Sequence, residues 1–262
     1  MLAGLLGLGA ARASVLLDEL TWTEVRDGLR AGTTTVIIPV GGTEQNGPHM
    51  ALGKHNTRAA ALSVRVAAKL GHTLVAPVMP YVPEGRVSPP AGHMRFAGTI
   101  SVPEQAFAAV LAGAARSLKQ HGFLDIVLIG DSGNYQGQLK DIAARLNREW
   151  AGSGARAHYV AAYYEAATQG FSQALRARGI TDRQIGTHAG IADTSLLMAI
   201  DASRVRADRL AAPGIADPSS GVAGDPSQSS AELGRIGVDM IIDKTAAAIR
   251  LAMAGRKPAS KE

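Results

Sequence analysis

A chain of 262 residues is long enough to bury the core of one large α/β domain. It has no cysteine, which excludes disulfides, thiolate zinc sites and cysteine nucleophiles and leaves His, Asp, Glu and water as the ligands for any metal. The net charge of +5 is scattered among acids, as in Arg145, Arg148 and Glu149, and aromatics are only 4%, so neither a basic stripe nor a base-stacking platform points to nucleic acid.

Residues 1–13 are apolar and end in Ala11-Arg12-Ala13, the small-residue pattern of a signal-peptidase site. Two readings stand: the remnant of a secretory signal, which makes the protein periplasmic or secreted, or an apolar arm on a cytoplasmic protein. The stretch is too short to span a bilayer, and no membrane partner is expected.

Thr21 to Glu24 form a capping-box pattern that opens a helix over 22–31. The apolar run 35–40 reads as a buried strand and leads into Gly41 to Asn56, a loop broken by Gly and Pro that holds Glu44, Asn46, His49, Lys54 and His55. Asn56 then caps an Ala-rich helix over 56–70, and 73–78 is a second strand. Residues 80–99 form a long loop with Pro80, Pro83, Pro89 and Pro90, carrying Glu84, His93 and Arg95. A structureless stretch of this length in a compact domain is usually functional or disordered.

Pro103 opens the next helix, which ends near Gly122. A third strand over 125–129 runs into Gly130-Asp131-Ser132-Gly133-Asn134, and a helix follows to about Trp150. Residues 156–161 are a fourth strand, and 171–178 and 194–200 are helical. A Gly/Pro/Ser/Asp-rich loop over 211–230 precedes a last amphipathic helix, capped near Ser229-Ser230 and ending near Ala254. Strands alternating with helices predict a mainly parallel sheet covered on both faces. No linker divides the chain, so 14–255 is read as one domain, with 256–262 as a tail.

Polar groups gather in four loops: Glu44 to His55, around His93, Asp131 to Asn134, and His188 to Asp193. Loops that follow parallel strands emerge on one edge of the sheet, where such groups converge. The segments themselves resemble a known family. GGTEQNGPHMALGKHN is similar to the creatininase loop that reads roughly GSTEQHGPHLPLGTD. GHMRFAGTIS, DIVLIGDSGN, THAGIADTSLLMAI and GVAGDPSQSSAELG resemble, in order, four further family segments.

The resemblance runs from about Leu16 to Met253. It implies a three-layer α/β/α fold, a homo-oligomer that is often a hexamer, and a metal-dependent amidohydrolase acting on small amides or cyclic amides. Family members hold two divalent ions. Their ligands are a Glu and a His of the first loop, an Asp eleven residues after that Glu, and a His with a further carboxylate from a later loop.

This chain departs from that pattern. Glu44 matches the Glu, but Asn46 stands at the His and His55 at the bridging Asp. Alignment on Asn134 puts Asp131 at the later His, and alignment on the strand puts Ser132 there. An imidazole offers one lone pair to a metal where a carboxylate bridges two ions. The expectation is therefore one divalent ion (Zn, Mn or Fe) per subunit, on Glu44, His55 and Asp131, with His188 shuttling protons. Asp193 either orients a ligand or simply caps the helix after it. Asn46, His49, His93, Ser132 and Asn134 are expected to touch substrate or stand behind the ligands.

Two alternatives remain open. His55 and Asp131 form a buried ion pair without metal, or the protein is a non-catalytic binding or scaffold member of the family.

Overall fold

The computed structural model describes residues 14–215 and 217–255. The expectations for 1–13 and 256–262 lie outside those residues.

Four strands, β1 (Thr35–Val40), β2 (Thr73–Val75), β3 (Asp125–Gly130) and β4 (Arg156–Tyr159), form a parallel sheet in the order β2-β1-β3-β4. The apolar run of β1 is strand from end to end, as its sequence predicts. The strand expected over 73–78 stops at Val75, and the chain rejoins the sheet only at a single bridge between Met79 and Val40. Pro77 lies between and has no N–H for a ladder.

Alternation along the strands sends Val36, Ile38, Ile126 and Leu128 to one face, and Ile37, Val127 and Ile129 to the other. Both faces are apolar because helices cover both. In chain order these are α1 (Trp22–Arg30), α2 (Lys54–Leu70), α3 (Glu104–Gln120), α4 (Gln136–Glu149), α5 (Ala162–Glu165), α6 (Phe171–Arg176), α7 (Asp182–Ile185), α8 (Ile191–Asp201) and α9 (Ala231–Ala254). Val25, Leu111 and Leu146 of α1, α3 and α4 cover the first face. Leu62, Phe171, Leu196 and Ile241 of α2, α6, α8 and α9 cover the second. The result is a three-layer α/β/α fold. Each fully buried Leu, Ile or Phe contributes about 1.5–3 kcal/mol to its cohesion.

Helix ends follow their caps. Thr21 and Glu24 make the expected reciprocal capping box. Helix α2 starts at Lys54, two residues before the expected cap, because Asn56 turns its side chain back to the preceding loop. Its Oδ1 accepts from the N–H of Gly42 at 2.9 Å, and its Nδ2 donates to Oγ1 of Thr43 at 3.2 Å. Helix α9 is capped by Ser230, whose Oγ accepts from the N–H of Leu233 at 3.2 Å. Helices α5 and α6 are joined by a π-helical turn, Ala166–Gly170, which the sequence pattern does not reveal. Among the described residues, no helix is long and apolar enough to cross a membrane.

The strand order sets the position of the site. The chain leaves β1 toward β2 on one side, while β3 and β4 extend the sheet on the other. The connections therefore diverge between the carboxyl ends of β1 and β3, where open α/β sheets form a crevice.

Candidate active site

Val40 and Gly130 are register partners, so the loops that follow β1 and β3 start side by side. Tyr135 ties them together. Its hydroxyl accepts the N–H groups of Asp131 (3.2 Å) and Ser132 (3.0 Å) and donates to the carbonyls of Val40 and Gly41. Gly41 is needed for close approach: a Cβ there would lie 2.2 Å from Oδ1 of Asn56 and 2.8 Å from its Cα. The first turn of α2 thus presses on the end of β1 and carries Lys54, His55 and Arg58 into the crevice.

Glu44, His55 and Asp131 do meet there. Nε2 of His55 is 2.8 Å from Oε1 of Glu44, and Nδ1 is 2.5 Å from Oδ1 of Asp131. Both ring nitrogens face carboxylate oxygens, so both act as donors and the ring has no lone pair to offer a metal. Burial and Lys54 push the His55 pKa down, but Glu44 and Asp131 outweigh them and leave it above its ordinary value. Asp131 is also fully engaged: Arg58 Nε lies 3.2 Å from Oδ1, and Tyr163 donates to Oδ2 at 2.7 Å.

Asp193 lies in the first turn of α8, whose N-cap is Gly190. Its Oδ2 accepts from the N–H of Ala189 at 3.0 Å and from Lys54 at 3.3 Å, and its Oδ1 accepts from Arg58 at 2.7 Å. Burial would raise its pKa, but Lys54 and Arg58 hold it well below the carboxylate range. Three carboxylates (Glu44, Asp131, Asp193) therefore face three cations (Lys54, His55, Arg58) in a closed network. Arg58 escapes notice in the sequence, where Lys54 is only one polar residue of the loop, although their spacing from His55 places all three at the same end of α2.

The other two histidines sit on the far side of Glu44. His93 comes from the long loop, whose path is held by backbone bonds from Ile100 to Thr43 (2.9 Å) and from Val102 to Val82 (3.2 Å). Its Nε2 is 3.4 Å from Oε2 of Glu44. His188 comes from a segment paired with Ala223, and its Nδ1 is 3.7 Å from Oε1 of Glu44. The two rings stand 4.6 Å apart. Burial lowers the pKa of both, that of His188 to about 4, so both rings are neutral at neutral pH. Burial would raise Glu44, but His55 and Lys54 hold it well below its ordinary value.

Glu44, His93 and His188 each offer one ligand atom within 4.8 Å of the others. The arrangement suits a divalent cation. The two carboxylate oxygens each face one imidazole, Oε2 at 3.4 Å from His93 and Oε1 at 3.7 Å from His188. Oε2 of Glu44 is buried and takes no N–H donor among the described residues, and the raised carboxyl of Glu84 is hydrogen-bonded to Glu44, a contact that a cation on this oxygen would replace. Nε2 of His188 donates to the carbonyl of Gln45 at 2.9 Å, leaving the Nδ1 lone pair directed at Glu44. This set shares Glu44 with the ligands expected from sequence and has His93 and His188 where His55 and Asp131 were expected.

The remaining candidates divide. Ser132 and Asn134 line the same cavity as Glu44, His93 and His188, a space of about 300 Å³. Asn134 donates to Oε2 of Glu84 at 2.7 Å. Glu84 is a buried loop carboxyl, raised to about 8 by burial and by nearby Glu44. Asn46 and His49 do not line the cavity. Asn46 is buried and braces the loop, its Nδ2 donating to the carbonyls of Glu44 (2.9 Å) and Ala51 (3.2 Å). His49 is buried beneath it, with Nε2 2.9 Å from Oγ1 of Thr194.

A family model described as Creatininase: Creatinine amidohydrolase matches residues 18–249. Creatinine amidohydrolase of Pseudomonas putida is 30% identical over 203 residues, covering 75% of this chain and 76% of that protein. Mycofactocin precursor peptide peptidase of Mycobacterium ulcerans (strain Agy99) is 29% identical over 253 residues, 87% and 89% of the two chains. The solved structure described as creatininase Mn superposes with a TM-score of 0.72 at 26% identity, covering 92% of this chain and 99% of that one.

Proposed function

Because this chain belongs to the creatininase family, we propose that it is a metal-dependent hydrolase of a small amide or cyclic amide, using one divalent ion held by Glu44, His93 and His188. The observation that carries this reading is the convergence of the Glu44 carboxylate with two neutral imidazoles, each facing one of its oxygens, on a polar cavity. A relative that acts on creatinine and another named as a peptide peptidase both break C–N bonds, which supports the reaction class.

When bound, such an ion supplies Lewis acidity at an amide carbonyl and lowers the pKa of a water. The chain supplies the rest. Ser132 and Asn134 present hydrogen-bonding groups to polar atoms of the substrate. The network of Lys54, His55 and Arg58 fixes Glu44 and Asp193 and leaves little conformational freedom to lose on binding. The cavity shares Tyr164, Ala167, Thr168 and Thr187 with an outer space of about 430 Å³, which gives a substituent on the amide somewhere to lie. A homo-oligomer fits this reading and is testable by sedimentation.

The test is hydrolysis of a panel of small amides and lactams by protein loaded with Zn²⁺ or Mn²⁺. Activity should depend on the metal, and Glu44→Gln should lower it by more than the ~10–100-fold typical of residues behind a ligand. Metal-independent hydrolysis, or full activity in Glu44→Gln, would overturn the proposal.

One observation favours a second reading, that of a non-catalytic binding member of the family. The three carboxylates are already balanced by three cations of the chain itself. Failure to take up any ion under metal-replete conditions would favour that reading.

A further inference from the structure

Gln45 touches both candidate histidines, in opposite senses. Its backbone carbonyl accepts from Nε2 of His188 at 2.9 Å, which leaves the His188 lone pair on Nδ1, facing Glu44. Its side-chain Nε2 lies 3.0 Å from Nδ1 of His93. The orientation of that amide is fixed by two other contacts. Oε1 accepts the N–H of Gly47 at 2.9 Å, and Nε2 donates to the carbonyl of Gly221 at 2.9 Å. Turned over, it would set two donors against each other at Gly47 and two acceptors at Gly221. The amide nitrogen therefore donates to Nδ1 of His93, and a neutral imidazole then carries its proton on Nε2, the nitrogen 3.4 Å from Glu44. One histidine is set to receive a cation and the other is set against it.

We propose that the side-chain amide of Gln45 is a gate on metal binding: it holds His93 in the Nε2–H tautomer, and an ion is taken up only when His93 gives up that arrangement. The change leaves the proton count of the ring unaltered, with one proton lost from Nε2 to solvent and one gained at Nδ1. Nδ1–H then needs an acceptor, which the amide supplies only by turning over and breaking its contacts with Gly47 and Gly221. Gln45 is thus a positioning residue that acts on the ion through His93. Most groups behind a metal-bound histidine accept its outer proton and strengthen binding; this one donates, and weakens it.

The proposal rests on Glu44, His93 and His188 being the cation ligands, and the experiment separates the two claims. Zinc is titrated calorimetrically into the wild-type protein, His93→Ala, Gln45→Glu and Gln45→Met, and the ring nitrogens of wild-type protein are read by ¹⁵N NMR before and after zinc. The expected results are weaker zinc binding in His93→Ala, about tenfold tighter binding in Gln45→Glu, and no weakening in Gln45→Met. In wild-type protein the expected His93 tautomer is Nε2–H without zinc and Nδ1–H with it. Unchanged zinc binding in His93→Ala overturns the ligand set. An Nδ1–H tautomer already present without zinc, or weaker zinc binding in both Gln45 variants, overturns the gate and leaves the ligand set standing. The NMR measurement needs no variant, so a substitution that fails to fold does not rescue the idea.

Discussion

Nδ1 of His55 stands 2.5 Å from Oδ1 of Asp131, a contact between the first turn of α2 and the loop after β3. The opposite nitrogen holds Glu44, so this one ring joins the ends of two neighbouring strands. Removing one partner of a buried ion pair leaves an uncompensated charge and costs about 3–5 kcal/mol. His55→Ala should lose that much in urea unfolding. A loss below about 1 kcal/mol would mean that the ring is not the imidazolium its neighbours require.

Asp131 offers a sharper test of which groups reach the ion. Both of its oxygens are committed to His55, Arg58 and Tyr163. Asp131→Asn should therefore lower stability but keep the metal content measured by elemental analysis, while His188→Ala should lose the metal. The reverse pattern would restore the ligand set read from sequence.

Ligand linkage predicts how metal affects stability. A free ion at 100 times its dissociation constant stabilises the folded protein by about 2.7 kcal/mol. At this chain length that raises Tm by about 5–10 °C. Scanning calorimetry with and without zinc should show the rise, and Glu44→Gln should abolish it.

The pH dependence of stability should have a limb to which His49, buried outside the cavity, contributes. Burial, then Lys54, lowers its pKa to about 4 from an ordinary 6.5. The unfolded chain therefore takes up this proton first as pH falls. The stabilisation is fully present above pH 6.5 and is lost progressively down to about pH 4, by about 3 kcal/mol in all. His49→Gln should make the decline over that window shallower in denaturant titrations at successive pH values, the remainder belonging to His188 and His93, which burial also lowers. An equally steep decline in the variant would assign the limb to other groups.

The segment that delivers His188 depends on a glycine. Gly186 has φ +64°, and a Cβ there would lie 1.8 Å from the carbonyl oxygen of Ala223, the residue that pairs with His188. Gly186→Ala combines left-handed strain with backbone overlap and should destabilise by at least about 2 kcal/mol. It should also weaken metal binding. Wild-type stability in this variant would show that the segment has room to move.

The strands of this fold are legible because their signal is local. The apolar runs of β1 and β3 are uninterrupted, and Thr21 with Glu24 spells out a cap within four residues. The site is partly legible for the same reason: Glu44 and His55 share one loop, and the segments bearing Asp131, His93 and His188 resemble family segments. What the sequence hides are pairings between distant side chains. The pairing of His55 with Asp131, 76 residues later, stands in the sequence only as one alternative to a shared metal, and the folded chain brings the two together. Nothing in the proline-rich loop announces that His93 folds back onto Glu44 while Glu84 is buried beside Asn134. The start of α2 is misplaced by two residues because Asn56, a good cap by type, serves the strand end instead. Asp193 misleads in the same way: it accepts the N–H of Ala189 from inside the first turn of α8 rather than from its start.

The divergence of the chain between β1 and β3 has an evolutionary consequence. The crevice exists because backbone connections part there, whatever side chains line it. The layered core beneath does not depend on whether an acid, an imidazole or an amide projects above it. A lineage can therefore exchange charges between these loops, one substitution compensating another, while the sheet goes on folding as before. The pairing of His55 with Glu44 and Asp131 has the form of such an exchange: a cation built into the polypeptide, seated among carboxylates at the mouth of an unaltered scaffold.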